Sequence, residues 1–330
     1  MTTYIEKERQ VGIAAVRAAA LLCEAVRAEM VRGDGPNALD KQDRSPVTVA
    51  DFGAQALVCR EIAAAFPGDE VVGEEDSRAL RTEGNASQLA AVLRFVGDQV
   101  GEVDEERVCG WIDYGGGTPD GRYWVLDPID GTKGFLRNDQ YAIALALIEA
   151  GEVRWGFLAC PLLPYEGGRG MLFVARRGAG TEAYTLDGTA LGPVRVSLER
   201  DPTQARLAES VVSAHTNRGL SEQLAETLGI ERRPLRMDSQ AKYAAIARGE
   251  ATIYLRSPNP RTPDYRENIW DHAAGSLVVE EAGGRVTDVY GRPLDWTQGR
   301  RLERNIGVVA TNGAVHDAVI SALARLLPAQ

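Results

Sequence analysis

The stretch WVLDPIDGTKGF, Trp124–Phe135, runs from an apolar strand pattern directly into Asp127 and Asp130. Asp, Pro and Gly are ordinary turn residues, so a type I turn at a strand end is the plain interpretation of this motif taken alone. Gly131 and Thr132, however, would present backbone N–H groups at a helix start, and such groups bind phosphate. Paired carboxylates beside an anion site form a candidate catalytic centre, so both interpretations stay open at this point.

Three acidic residues outside this motif stand in similar positions. Asp51 follows SPVTVA, Glu74 ends the strand pattern in VVGEED, and Asp271 opens an apolar helical segment. In each case a core is adjacent, where an unpaired charge would be costly. Acids that converge on one point repel each other unless cations lie between them, and oxygen ligands favour Mg²⁺ over zinc. Taken singly, Asp51 and Asp271 could instead be helix N-caps.

The composition limits the class of protein. The 330 residues are 44% hydrophobic, which is enough for a sizeable core in one large or two modest domains. The formal net charge of -10 argues against nucleic-acid or membrane partners, so an anionic ligand would need local cations. The four cysteines are scattered without a CxxC pair, which predicts neither disulfides nor a zinc site. MTTYIEKERQ lacks the apolar core of a signal peptide, and a cytoplasmic location is expected.

Hydrophobic periodicity predicts an α+β half followed by an α/β half. Helical spacing favours a first helix from Ile5 to about Arg32 and a second helix that Asp51 opens and Phe66 ends. The polar, Gly-rich chain that follows predicts one helix, Leu89–Val96. Strands then alternate with helices, which is typical of an α/β arrangement. We expect an N-terminal subdomain of residues 1–205 and a C-terminal subdomain of residues 206–330.

Several strings resemble the signature motifs of the inositol monophosphatase superfamily, whose members are lithium-sensitive, Mg²⁺-dependent phosphatases. They are GEE (73–75), DPIDGT (127–132) and WDHAAGSLVVEEAGG (270–284). Within the superfamily the chain is most similar to the 3'(2'),5'-bisphosphate nucleotidases, through SPVTVAD (45–51), DPIDGTKGFLR (127–137), MDSQAKY (237–243) and YRENIWDHAAG (265–275). The resemblance implies a layered α-β-α-β-α sandwich, with most metal ligands in the N-terminal half and Asp271 and the nucleotide contacts in the C-terminal half.

The resemblance also implies two or three Mg²⁺ ions in one site. The implied ligands are Glu74, Asp127 and the Ile129 carbonyl for the first ion, Asp127, Asp130 and Asp271 for the second, and Asp51 with Glu74 for the third. The Thr132 hydroxyl, bonded to Asp51, would orient the attacking water and help to deprotonate it. Asp51, Thr132 and Glu74 are therefore the implied catalytic residues.

The implied substrate is a small phosphorylated nucleotide. The backbone amides of Gly131 and Thr132 would hold the scissile phosphate. The predicted contacts with the nucleotide and its second phosphate are His215, Ser239, Lys242 and Arg256. His272 is expected to be a packing residue rather than a base.

The implied reaction is hydrolysis of the 3'(2')-phosphate of adenosine 3'(2'),5'-bisphosphate to AMP and phosphate by direct attack of water. One alternative is an inositol mono- or polyphosphate phosphatase, because relatives with near-identical metal motifs use such substrates. Another, of a different class, is a catalytically idle protein that binds Mg²⁺ and nucleotide. The intact acidic motifs argue against that second alternative.

Overall fold

The computed structural model describes residues 3–32, 45–211, 218–258, 262 and 264–328. Its helices are α1 (Tyr4–Arg32), α2 (Ser45–Ala65), α3 (Ala86–Val100), α4 (Glu105–Asp113), α5 (Thr132–Leu136), α6 (Arg218–Leu228), α7 (Ala241–Ala247), α8 (Ala273–Glu281) and α9 (His316–Leu326). Its strands are β1 (Glu70–Gly73), β2 (Arg122–Asp130), β3 (Ala142–Glu149), β4 (Glu152–Tyr165), β5 (Gly168–Arg176), β6 (Gly180–Thr185), β7 (Ala190–Val194), β8 (Leu207–Glu209), β9 (Leu235–Arg236), β10 (Ile253–Arg256), β11 (Arg285–Thr287) and β12 (Val308–Thr311). None of the helices in these ranges is long and apolar enough to cross a membrane.

The first sheet contains β1 to β7 in sequence order, and its side chains alternate between two cores. Trp124 and Leu126 of β2 pack with residues of α1 and α2, whereas Tyr123 and Val125 pack with residues of α7 and α8. Successive residues of a strand point to opposite faces, so each face of this sheet needs its own apolar cover. Helices on both faces explain why β2 is apolar without interruption from Tyr123 to Leu126.

The second sheet has the order β11-β12-β10-β8-β9 and mixes parallel with antiparallel pairs. Tyr254 and Val308 face α7 and α8, whereas Ile253 and Val309 pack with residues of α6 and α9. The layers therefore run from α1 and α2 through the first sheet, α7 and α8 and the second sheet to α6 and α9. This order confirms the predicted α-β-α-β-α sandwich.

Two local predictions were wrong. The second helix begins at Ser45, so Asp51 lies inside α2 and neither caps nor opens it. The segment that was predicted to hold one helix holds α3 and α4, because Asp104 accepts a hydrogen bond from the Arg107 amide and caps a second start. The predicted first helix is confirmed as α1. The division into subdomains at residue 205 stays a prediction.

Candidate active site

An irregularity in β2 brings Asp127 and Asp130 to the same cavity. Asp127 lies opposite Ala144 of β3 and Asp130 opposite Ala142, so β2 contains one extra residue between them. Residues three apart in a regular strand point to opposite faces, and the extra residue restores a common direction. Pro128 suits such a break because it has no N–H to donate. Both aspartates line a cavity of about 300 Å³.

Gly131 turns the chain from β2 into α5 and brings it close to the C-terminal half. Its φ of 90° lies in the left-handed region, which glycine adopts without strain. A Cβ atom at Gly131 would lie 2.7 Å from the Cβ of Ser239. Ser239 itself has a φ of 69°, which is uncommon for a residue with a side chain. Thr132 follows Gly131 and is exposed to the cavity.

Asp51, Glu74 and Asp271 reach the same region from three other elements. β1 pairs in parallel with β2, with Gly73 opposite Leu126, so Glu74 leaves the sheet edge beside the β2 motif. Asp51 is buried in α2, and Asp271 is half-buried just before α8. Glu74 and Asp271 line the cavity together with the β2 aspartates. The fold thus brings together acids that are far apart in the sequence.

Electrostatic repulsion shows how close these carboxylates are. Burial raises the pKa of Asp127 well above its ordinary value, and repulsion from Glu74, Asp130, Asp271 and Asp51 raises it further. Asp127 is therefore central to the predicted cluster. Its Oδ1 atom is buried and has no hydrogen-bond partner among the described residues. A buried carboxylate oxygen without a hydrogen-bond donor is suited to bind a cation.

The pKa values of Glu74 and Asp51 are raised as well. Burial raises the pKa of Glu74, and repulsion from Glu75 and Asp130 raises it further, to about 7. The Glu74 side chain nevertheless reaches the open cavity. The pKa of Asp51 is raised well above its ordinary value by burial and then by Glu75 and Glu74. Glu75 was missed in the sequence analysis, although GEE contains it. These acids fit a group of divalent cations, which would relieve the repulsion.

Two basic residues line the same cavity as the acids. The buried Lys242 ammonium lies 5.3 Å from the Tyr254 ring centre and 3.4 Å from the Met237 carbonyl oxygen. Burial lowers the pKa of Lys242 to about 8, although attraction to Asp130 opposes the shift. Arg256 lines the same cavity, and its Nε donates to Glu267. The structure therefore brings both predicted cations to the site.

Glu267 and His272 form a supporting network that the sequence analysis did not predict. His272 is buried, with its Nδ1 2.7 Å from the Tyr243 hydroxyl and its Nε2 3.3 Å from a Glu267 oxygen. Burial alone would raise the pKa of Glu267, but hydrogen bonds and charge from His272 and Arg256 lower it to about 2. The expected packing role of His272 agrees with these contacts. No sequence pattern identified Glu267 because its partners lie on other elements.

The cavity contains most of the residues that the sequence singled out. Those that line it are Glu74, Asp127, Ile129, Asp130, Gly131, Thr132, Ser239, Lys242, Arg256 and Asp271. Asp51 lies behind this surface, close enough to Glu74 for the two acids to repel each other. The predicted contact His215 lies outside the described residues. Lining residues that were not predicted are Lys133, Ser210, Asp238, Gln240, Tyr254, Tyr265, Asn268 and His272.

Comparisons with solved structures agree with the fold. An inositol monophosphatase from Anabaena (Nostoc) sp. superposes with a TM-score of 0.64, covering 99% of this chain and 98% of that chain. A SuhB protein from Mycobacterium tuberculosis gives a TM-score of 0.61, with 96% of this chain and 95% of that chain covered. Their identities of 19% and 22% are low, so these likenesses establish the fold alone.

Comparisons of sequence reach further. A 3'(2'),5'-bisphosphate nucleotidase of Schizosaccharomyces pombe is 43% identical over 341 residues, covering 97% of this chain and 95% of the relative. Relatives with the same name occur in Oryza sativa, at 43% identity with 94% and 91% covered, and in Dictyostelium discoideum, at 38% with 97% of both covered. The sequence model of the inositol monophosphatase family matches residues 6–327. Because this match and these relatives span nearly the whole chain, the protein belongs to the inositol monophosphatase family.

Proposed function

We propose that this enzyme is a Mg²⁺-dependent 3'(2'),5'-bisphosphate nucleotidase, which releases AMP and phosphate from adenosine 3'(2'),5'-bisphosphate. The observation that carries the proposal is the Oδ1 of Asp127, which has no hydrogen-bond partner among the described residues and lies in a carboxylate cluster that shares its cavity with Lys242 and Arg256. The names of the relatives, at 38–43% identity over nearly the whole chain, support this substrate. Membership of a metal-dependent phosphatase family supports the chemistry.

The carboxylates would hold the metal ions at three neighbouring positions. Glu74, Asp127 and the Ile129 carbonyl would form the first position, Asp127, Asp130 and Asp271 the second, and Asp51 with Glu74 the third. When bound, Mg²⁺ supplies Lewis-acid activation of water and neutralises charge on the leaving oxygen. Asp127 would be the ligand shared by the first two positions, because four other acids lie close enough to raise its pKa.

The first turn of α5 would position the nucleophile and the scissile phosphate. Gly131 and Thr132 would direct backbone N–H groups toward the phosphate, since the first amides of a helix lack partners within it. The Thr132 hydroxyl would hold the attacking water and accept its proton, passing its own proton to the Asp51 carboxylate. Burial raises the pKa of Asp51, which makes its carboxylate a better proton acceptor.

Lys242 and Arg256 would bind the second phosphate of the substrate. Both side chains are at least four-fifths buried, and both line the cavity that the acids share. The Arg256 guanidinium keeps its charge. Burial alone would lower the pKa of Arg256, but Glu267, Tyr254 and Asp271 together raise it. Buried cations bind phosphate strongly because little water competes for them. His215 and Ser239 remain predicted contacts of the nucleotide.

The test is phosphate release from adenosine 3',5'-bisphosphate, compared with release from inositol 1-phosphate, in Mg²⁺ and in excess EDTA. The proposal predicts Mg²⁺-dependent release and a kcat/KM at least tenfold higher for the bisphosphate. Equal kcat/KM values would support the alternative of an inositol phosphate phosphatase. Binding of the bisphosphate without release of phosphate would indicate the idle binding protein. Asp317→Asn is the matched control for site variants, because the Asp317 side chain is 90% exposed and lies in the first turn of α9, outside the cavity.

A further inference from the structure

Gln240 connects two of the proposed metal ligands that lie in different halves of the chain. It is 2% exposed and immediately precedes α7. Its backbone N–H donates to Asp130 Oδ2 over 2.5 Å. The left-handed conformation of Ser239 turns this amide toward Asp130, which is a physical reason for the uncommon φ at that serine. One end of Gln240 is thus attached to the β2 motif.

The side chain of Gln240 holds the turn that carries Asp271. Its Nε2 donates to the Trp270 carbonyl over 2.9 Å, and its Oε1 accepts from the Gly275 amide over 3.1 Å. Gly275 lies in the first turn of α8, where amides have no partner within the helix. A Cβ at Gly275 would lie 2.3 Å from the Tyr243 ring and 3.0 Å from Gln240 Oε1, so the close packing of α8 against α7 depends on glycine at that position. The two bonded groups lie on either side of Asp271.

Gln240 therefore holds both Asp130 and the turn that carries Asp271. Burial raises the pKa of Asp271, and repulsion from the Asp130 carboxylate raises it further. Repulsion favours movement of the Asp271 turn away from β2 whenever no cation lies between the acids. Three hydrogen bonds from one buried residue oppose that movement.

We propose that Gln240 is a positioning residue, which sets the separation of Asp130 and Asp271 and so tunes cation affinity at the second metal position. The inference rests on the proposed function for the identity of that position. Residues that orient metal ligands typically change metal affinity by about 10- to 100-fold when they are replaced. Both polar ends of the Gln240 side chain are bonded to Trp270 and Gly275, so its contribution to the cation is geometric.

Two replacements separate this role from simple packing. Gln240→Met keeps an unbranched side chain of similar size and removes both side-chain hydrogen bonds. Gln240→Asn keeps the amide, but it is one methylene too short to reach both Trp270 and Gly275. The matched control is Asn312→Ala, because Asn312 is a buried amide outside the cavity. Its Nδ2 donates to the Ser197 and Glu199 carbonyls, and its Oδ1 accepts from the Val315 amide.

The measurement is a Mn²⁺ binding isotherm, in which electron paramagnetic resonance reports the concentration of the free ion. It is made with and without inorganic phosphate. We expect Gln240→Met to weaken one Mn²⁺ per chain by at least tenfold and to leave the others within twofold of wild type. Gln240→Asn should weaken the same ion by a smaller factor. Asn312→Ala should lower the free energy of unfolding and leave the Mn²⁺ isotherm unchanged.

Mn²⁺ isotherms of both Gln240 variants within twofold of wild type would overturn the inference. So would failure of both variants to fold while Asn312→Ala folds, because Gln240 would then be a general determinant of stability. The proposed function is judged separately, because Mn²⁺ binding needs no substrate. A wild-type protein that binds Mn²⁺ but releases no phosphate would refute the nucleotidase and leave the comparison of the variants valid.

Discussion

Gly131 and Ser239 approach each other so closely that a Cβ on Gly131 would lie 2.7 Å from the Cβ of Ser239. The contact joins the DPIDGT motif to the DSQAKY motif, which are more than a hundred residues apart in the sequence. Because Ser239 also sets the direction of the Gln240 amide, displacement at this point would reach Asp130. The geometry of the site therefore depends on the absence of a side chain at Gly131.

Gly131→Ala should reduce both stability and activity. The left-handed φ costs a residue with a Cβ about 1–2 kcal/mol, and the collision with Ser239 adds to that cost. Urea unfolding and phosphate release are the measurements. Gly110→Ala is the control, because Gly110 lies in α4 with no atom within 4 Å of a new Cβ, and it should gain about 0.5–1 kcal/mol. Wild-type activity in Gly131→Ala would contradict the close approach.

Asp271→Asn should separate stability from function. Burial and the neighbouring Asp130 raise the pKa of Asp271, so a neutral side chain relieves repulsion when metal is absent. We expect the free energy of unfolding in EDTA to rise by about 1–2 kcal/mol and phosphate release to fall at least a hundredfold. Asp130→Asn should lose activity in the same way. Turnover near that of wild type at saturating Mg²⁺ would remove the substituted residue from the metal site.

Lys242→Met should reduce the preference for a bisphosphorylated substrate. Methionine retains the buried stem, whereas alanine would leave a cavity at a residue that is 4% exposed. Loss of a charge-assisted contact should lower kcat/KM for adenosine 3',5'-bisphosphate by about ten- to a hundredfold, or about 1.5–3 kcal/mol. The value for inositol 1-phosphate should change less, since that substrate has no second phosphate. An unchanged ratio of the two values would exclude Lys242 from the second phosphate site.

His316 should make the protein less stable in mild acid. It is buried between the hydroxyls of Thr287 and Thr311, each 3.0 Å from one ring nitrogen, and burial lowers its pKa from 6.5 to about 4. Between these pH values the unfolded chain binds a proton that the folded chain does not, so stability falls as the pH falls. From pH 6.5 to 5 the loss should be about 1.5 kcal/mol.

The measurement for His316 is urea unfolding as a function of pH, in wild type and in His316→Gln. The glutamine retains a polar side chain for both threonines and does not titrate. The difference between the two curves isolates the histidine, because all other titrating groups are shared. Parallel curves between pH 4 and 6.5 would show that His316 does not cause the loss.

The sequence by itself determined the fold class, the order of the motifs and the residues worth testing. Apolar spacing predicted α1, because local patterning fixes which faces must be buried. The GEE, DPIDGT and WDHAAG strings implied the layered sandwich through their resemblance to a known family. It misjudged Asp51, because a capping residue and a buried helical acid look alike until the preceding turn is seen. It predicted Leu89–Val96 within α3 but missed α4, whose start depends on the cap at Asp104.

The tertiary structure alone decided how these residues combine. Periodicity places Asp127 and Asp130 on opposite faces of a strand, and only the irregular pairing with β3 directs both into one cavity. Gln240, Glu267 and Glu75 lie within the quoted motifs, but the sequence assigned them no role, since their partners come from other elements. Hydrogen bonds and electrostatic repulsion depend on distances in space, and chain positions far apart in the sequence acquire those distances only when the sheets and helices pack.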